Sequence, residues 1–341
     1  MFQDILETVR EDISAVRLTT KTNNNLRDLI SRQSAEEELE LIVKLKQDIP
    51  DAEKWRAYEH CAVVTRLYSI YERFTEDLVK KWLLVLPKIY LNYSELDERI
   101  QNTHMIGVGK LLTNLNKNRY KHLPIEKVMS GLYLGVTVNQ GYQLLPEAFL
   151  IHEQNLRREI LEQFLADAGI SNVWSWIDKY RKVQFFLEQV RGGKSNAEGE
   201  LLNLINYRNE AAHGTPQKIL ISQSLLEFCN FVEALCEALT ELMTYQVIQK
   251  QESVGQAKEI GTITEWFKTP KAAIVKMQEI TSLTVGESLF MVSEAYCQLA
   301  KIESIQVNDE SISVVQTVLE QEVGLKFDVD AKRGLRVYQC F

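Results

Sequence analysis

The sequence predicts a multidomain α + β protein, with an all-α helical bundle followed by a small C-terminal β-barrel. Three observations predict it. Up to about residue 250, apolar residues recur at three- and four-residue steps, the period of an amphipathic helix. From about residue 258 the chain changes to short, β-branched, often alternating runs. Six prolines and 15 glycines in 341 residues leave no room for a long unstructured linker. The expected boundaries are a helical arm at 1–50, a bundle at 51–252 and a barrel at 258–341.

The first helix is expected over 2–17, with Phe2, Ile5, Leu6, Val9, Ile13 and Val16 on one stripe. "TTKTNNN" follows and reads as a polar break. The next helix runs through "SAEEELELIVKLKQDI", where Ser34 and Glu37 have capping-box spacing. A long helix covers about 53–85 and stops near Pro87. Ser94, Leu96 and Ile100 start another, and 104–145 gives no clear period. Later helices are expected at about 146–167, 171–191, 198–212 and 222–250. The last buries Cys229 and Cys236 in a stripe with Leu225, Val232, Leu239 and Met243, so those cysteines read as packing. Short connections predict antiparallel neighbours. The strands are expected in "EIGTITEWF", "AAIVKM", "ESLFMV", "AKIESIQV", "SISVVQTV", "EVGLKFDV" and "LRVYQCF".

Composition removes several function classes. The formal net charge of −8 argues against a global field for nucleic acid, so any such binding needs local patches. Five cysteines without CxxC spacing argue against a disulfide framework or a zinc ribbon. The N-terminal pattern carries acids and does not read as a secretory signal. The most apolar run, "WLLVLPKIYL", is too short to span a bilayer. A cytoplasmic protein that does not engage a membrane is the expectation.

The stretch "YRNEAAHG" (207–214) ends the helix expected at 198–212. Gly214 suits the position just past a helix, and Pro216 stops continuation. Five residues turn a regular helix by about 500°, which leaves Arg208 and His213 about 140° apart. They converge if the helix ends between them, or if two copies of the chain meet. A histidine here can also simply cap the last carbonyls.

An Arg-x4-His motif at the end of the penultimate helix of a bundle resembles the HEPN superfamily. Within it, the chain looks most like the RiboL-PSP and MAE-type HEPN nucleases of bacterial conflict systems. The matching residues are Arg208, Asn209 and His213, supported by "RLYSIYERFTEDLV" (66–79) and "IHEQNLRREILEQFLADAGI" (151–170). The resemblance covers roughly 53–250. It implies a metal-independent endoribonuclease with no cofactor, of toxin or antiphage type. In that reaction the 2′-hydroxyl attacks the adjacent phosphate and leaves a 2′,3′-cyclic phosphate. It also implies a homodimer, because two facing copies supply two arginines and two histidines to one cleft. Histidine suits proton transfer, with an unperturbed pKa near 6.5, and arginine suits the phosphate through its planar, charged fork. Asn209 is a candidate to bond the phosphate or hold the two copies in register. Glu72 is a candidate to orient Arg208, with a plain surface carboxylate as the equal alternative, and Glu210 reads as a solvated or salt-bridged carboxylate.

The C-terminal region is similar to the second domain of elongation-factor-Tu-type GTPases, through "IGTITEWF", "LTVGESLFMV", "AKIESIQVNDESI" and "EVGLKFDVDAKRGLRVYQ". No Gly-x4-Gly-Lys-[Ser/Thr] motif is present, so the resemblance implies the barrel without the GTPase. That analogy points to tRNA. The barrel's nine basic and 12 acidic side chains over 258–341 argue against strong nonspecific phosphate binding, and docking to a protein, at the ribosome or an antitoxin, is the alternative to tRNA. For RNA itself the candidates are Tyr207, Lys179, Arg181, Lys182, Arg191 and Lys194, with "KNRYKH" (117–122) as a second basic patch. Solvated helix faces are the competing reading of both patches. A noncatalytic HEPN module that binds RNA or nucleotide, or scaffolds a partner, is the alternative function.

Overall fold

A computed structural model describes residues 1–31, 47–151, 154–214 and 216–341. Their contacts group into two compact units. One holds residues 1–80, 150–165 and 181–240, the other 81–149, 166–180 and 241–341. Among the described residues, no helix is long and apolar enough to cross a membrane. All five cysteines are free thiols. The helix expected from Ser34 lies almost wholly outside the described residues.

Helix α1 runs over Gln3–Ser31, well past the polar break expected at "TTKTNNN". Its buried stripe of Leu6, Val9, Ile13 and Val16 continues into Thr20, which is fully buried. Beyond it the inward face turns polar and finds polar partners. Arg27 pairs with Glu59 at 2.8 Å, and Ser222 donates to Asn24 at 3.3 Å. The helix continues because its inward residues find side-chain partners, while Lys21, Thr22 and Asn25 face solvent. Helix α2 (Ala52–Ile89) carries Val64, Leu67, Tyr68, Tyr71, Phe74, Leu78, Trp82 and Leu86 at helical spacing, all buried. It includes Pro87 in its last turn and ends two residues later.

The start expected at Ser94 is a single 3-10 turn, Tyr93–Glu95, closed by a capping box between Asn92 and Glu95. Extended backbone at Leu96 interrupts it. Helix α3 begins at Glu98, with the Asp97 carboxylate accepting from the Arg99 N–H at 2.8 Å, and runs to Asn114. Helix α4 (Ile125–Thr137) falls in the region without a clear period. The single helix expected at 146–167 is two pieces, α5 (Pro146–Phe149) and α6 (Arg158–Asp167). The one expected at 171–191 is α7 (Val173–Lys179), α8 (Arg181–Phe185) and a π-helical turn, Phe186–Val190. Helices α9 (Ala197–Ala212) and α10 (Ser222–Ser253) match their expected spans closely.

His104 of α3 is fully buried. The Leu145 N–H donates to its Nε2 at 3.2 Å, which leaves the ring proton on Nδ1, 3.2 Å from the Tyr93 hydroxyl. Protonating Nε2 displaces that acceptor inside the core, and burial pushes the group down to about 4. The folded value lies below the unfolded one near 6.5, so the stability is present above about pH 6.5. It is lost as pH falls from there toward 4, in total about 3 kcal/mol. Urea unfolding of wild type and His104→Gln between pH 7 and 4 checks this, and the variant is expected to show the shallower slope.

The C-terminal strands are β1 (Ala257–Phe267), β2 (Ala272–Met277), β3 (Ser282–Thr284), β4 (Ser288–Ser293), β5 (Tyr296–Val307), β6 (Glu310–Ile312), β7 (Val314–Gln316), β8 (Glu322–Phe327) and β9 (Arg336–Cys340). The order β4-β9-β1-β2-β8-β5 is antiparallel throughout, and β5 pairs back onto β4, which closes a six-stranded barrel. Ile260, Val275, Leu289, Ile302, Leu325 and Val337 fill its interior. Gly261 is required where β1 crosses β2, because a Cβ there would sit 2.5 Å from the Lys276 carbonyl oxygen. The strand expected at "SISVVQTV" divides: β6 hairpins onto β5, and β7 leaves to pair with β3. In the same unit, Glu241 of α10 is buried and accepts from the Tyr180 hydroxyl, the Cys297 N–H and the Gln298 amide at 3.0–3.2 Å.

Candidate functional site

Helix α9 starts at Asn196, whose side chain accepts from the Gly199 N–H at 2.7 Å. Its buried positions are Ala197, Glu200, Leu201, Leu204 and Ile205. Arg208 and Asn209 each fall four residues past the last two of these, so they continue the inward face. His213 falls seven residues past the exposed Asn206 and is itself exposed.

The helix persists through Ala212, the residue before His213, and the His213 N–H caps it by donating to the Asn209 carbonyl at 3.0 Å. Gly214 takes the left-handed conformation, with φ +80°, that terminates the turn. In one chain Arg208 is half-buried on the inward side of α9, and His213 is exposed at its end.

Arg208 is half-buried with its guanidinium 4.9 Å from the centre of the Tyr68 ring on α2. Its Nη1 donates to Asn209 Oδ1 at 3.0 Å, and Asn155 Nδ2 donates to the same oxygen at 3.1 Å. Tyr68 is fixed in turn. Its hydroxyl accepts from the Leu156 N–H at 3.0 Å and donates to Glu72 Oε1 at 3.0 Å. Burial raises the Tyr68 pKa, with Glu72 adding to the effect and Arg208 opposing it. The carboxylate of Glu72 thus reaches Arg208 through Tyr68 rather than as a direct ion pair. Tyr68→Phe strips a buried N–H of its acceptor and is expected to cost about 1–3 kcal/mol, read by thermal unfolding.

The other residues of the motif hold the loop after α9. Glu210 accepts from the Gln217 N–H at 3.0 Å. The Leu220 N–H donates to Nδ1 of the fully buried His60 at 3.3 Å. Burial lowers the His60 pKa, against the pull of Glu210. Tyr207 packs edge-on between the His60 and Phe228 rings, at 5.5 and 5.9 Å.

The basic residues named for RNA have other commitments. Lys182 pairs at 2.6 Å with Glu237, a buried carboxylate that Arg10 also holds at 2.7 Å. Arg191 pairs with Glu200 at 2.9 Å and with Glu227, over the Phe186 ring at 4.9 Å. Lys179 pairs with Glu294. Arg181 and Lys194 are exposed. Among the described residues, no group of three or more His, Cys, Asp or Glu side chains is placed to hold a metal ion.

Tyr68, Asn155 and His60 were not singled out from the sequence. Tyr68 had a signal, since a tyrosine on the buried stripe of α2 must find a partner for its hydroxyl. Asn155 lies in the non-helical piece before α6, where no period marks it.

No curated protein matches the chain. Among solved structures, the C-terminal domain of a Geobacillus thermoleovorans protein described as a U32 peptidase is similar at 14% identity. It covers 24% of this chain and 99% of that one, with a TM-score of 0.22. The family model described as RiboL-PSP-HEPN matches residues 30–245, more than half of the chain and the whole of helices α2 to α9. The chain belongs to the RiboL-PSP-HEPN family, a membership that points to a nuclease or RNA-binding role.

Proposed function

We propose that the protein is a metal-independent endoribonuclease, of toxin or antiphage type, whose active site is completed by a second copy of the chain. Arg208 binds and neutralises the scissile phosphate, Asn209 holds the guanidinium in place, and His213 moves the proton. The observation that carries this reading is the fixed Arg208–Asn209–Asn155 cluster, with an exposed His213 one turn past Asn209 at the same helix end. A structural arginine of this kind needs no exposed histidine beside it. A catalytic pair needs both, one held rigid and one free to reach substrate.

A single copy offers one proton-transfer group where the reaction moves protons at two oxygens. Two copies related by a two-fold axis supply a second His213. The RNA path is assigned to the exposed Lys194 before Lys179, Lys182 and Arg191, which already hold carboxylates. The 258–341 barrel is assigned to tRNA or partner recognition.

The test is cleavage of total RNA and of tRNA by purified protein in EDTA, with the product ends mapped. The expected products carry 2′,3′-cyclic phosphate and 5′-hydroxyl ends. Loss of cleavage in EDTA removes the metal-independent mechanism. Full activity in a protein that light scattering shows to be monomeric removes the composite site.

A further inference from the structure

We propose that the C-terminal part of α1 and the N-terminus of α10 form a second anion site, built for a phosphate group. A cavity of about 410 Å³ opens there, within the size range of small-ligand sites. Its wall includes Ser222 and Gln223, the first two residues of α10. The first helical bond runs from the Leu225 N–H to the Ile221 carbonyl, so the preceding N–H groups have no acceptor within the helix. Ile221 stands at the capping position and has no side-chain acceptor to offer them. A 32-residue helix thus presents its positive end to the cavity without a side-chain cap from that position.

Two side chains in the wall point independently to a ligand. Thr20 is fully buried, and its hydroxyl has no partner. Arg27 donates through Nη2 to Ser222 Oγ and Glu59 Oε2, both at 2.8 Å, while its buried Nη1 has no partner. A buried donor without an acceptor costs about 1–3 kcal/mol, so two at one cavity call for acceptor oxygens. Lys21 and Arg56 line the same cavity, are exposed, and have no carboxylate partner among the described residues. Of the acids nearby, Asp28 accepts from Asn24 Nδ2 at 3.3 Å, and Glu59 pairs with Arg27 through Oε2 while its buried Oε1 has no partner. What remains is two free cations, a helix N-terminus and two orphan donors, which match the several oxygens of a phosphate.

The site shares its framework with the Arg208 helix without using its residues. Glu59 is followed by His60, which receives the Leu220 N–H and packs against Tyr207. Phosphate binding here does not depend on RNA cleavage by Arg208 and His213. The phosphate can come from a free ion, a nucleotide or the RNA backbone.

The full chain carrying His213→Ala is titrated calorimetrically with inorganic phosphate, a nucleoside 5′-monophosphate and a short single-stranded RNA. The same titrations are repeated with Lys21→Ala/Arg56→Ala and with Thr20→Val added. The proposal expects the double substitution to weaken binding about tenfold or more, with thermal stability unchanged because both side chains are exposed. It expects Thr20→Val to weaken binding as well. If the monophosphate binds as tightly as RNA, the ligand is a free nucleotide. If RNA binds more tightly and its salt dependence falls in the double variant, the ligand is the backbone. Affinities for all three ligands that are unchanged in the double variant, or absent in the parent, overturn the site.

Discussion

His213→Ala is expected to lower RNA cleavage by about 10²–10⁴-fold, the usual cost of removing an acid–base group. Because His213 is exposed, the variant should unfold at the wild-type temperature. The lost rate then reports chemistry and not a damaged fold. Arg208→Ala is expected to lose about 10²–10³-fold through the missing charge on the transition-state phosphate. That variant also empties the place above the Tyr68 ring, so it needs a control. Arg208→Lys keeps the charge but not the planar fork, and it should remain slow while folding normally. Single-turnover cleavage in EDTA measures all three. Cleavage at the wild-type rate in both alanine variants would sink the assignment. Mixing the two alanine variants adds a test of the composite cleft, since only mixed dimers carry one intact residue of each kind.

Arg191→Ala is expected to lower stability by about 3–5 kcal/mol, the scale for removing one partner of a buried ion pair. Glu200 has 4% of its side chain exposed and Glu227 has 18%, so both carboxylates are left without their counter-charge in a largely dry setting. The Phe186 and Phe228 rings lose the guanidinium they face. Lys194→Ala, three residues on and exposed, should stay within about 0.5 kcal/mol of wild type. Urea unfolding separates the two variants, and RNA binding is measured beside it. An Arg191→Ala protein of wild-type stability with lost RNA affinity would restore Arg191 to the RNA path. The comparison matters because the sequence presents Arg191 and Lys194 as equivalent members of one basic run.

Periodicity carried most of the fold. Helix α2 was legible because one face is apolar over many turns, α9 because its first two turns are apolar between an Asn196 cap and Gly214, and α10 because it is apolar over most of its length. The barrel was legible for the matching reason, since short alternating runs have few other uses. The errors have physical causes. The end of α1 looked like a break because "TTKTNNN" is polar, yet its inward side chains bond across to α2 and α10. The π-helical turn at Phe186–Val190 and the non-helical piece before α6 interrupt runs whose apolar spacing reads as continuous helix. At the site, the position of the helix end decides whether Arg208 and His213 converge, and it falls at Ala212, four residues after Arg208. Tyr68 and Asn155 were out of reach for a different reason. They lie 140 and 53 residues before Arg208, and contacts across such separations leave no local pattern.

The closed ring of β4-β9-β1-β2-β8-β5 also limits how the C-terminal region can recognise anything. Each of its strands already has a neighbour on both sides, and the short β6 covers the far end of β5. An extended peptide therefore finds little unpaired backbone to join within the ring, and the free edges of the region are the short strands β6, β3 and β7. A partner that met the ring itself would be read by side chains on its outer wall, where a substitution leaves the hydrogen-bonded scaffold unchanged.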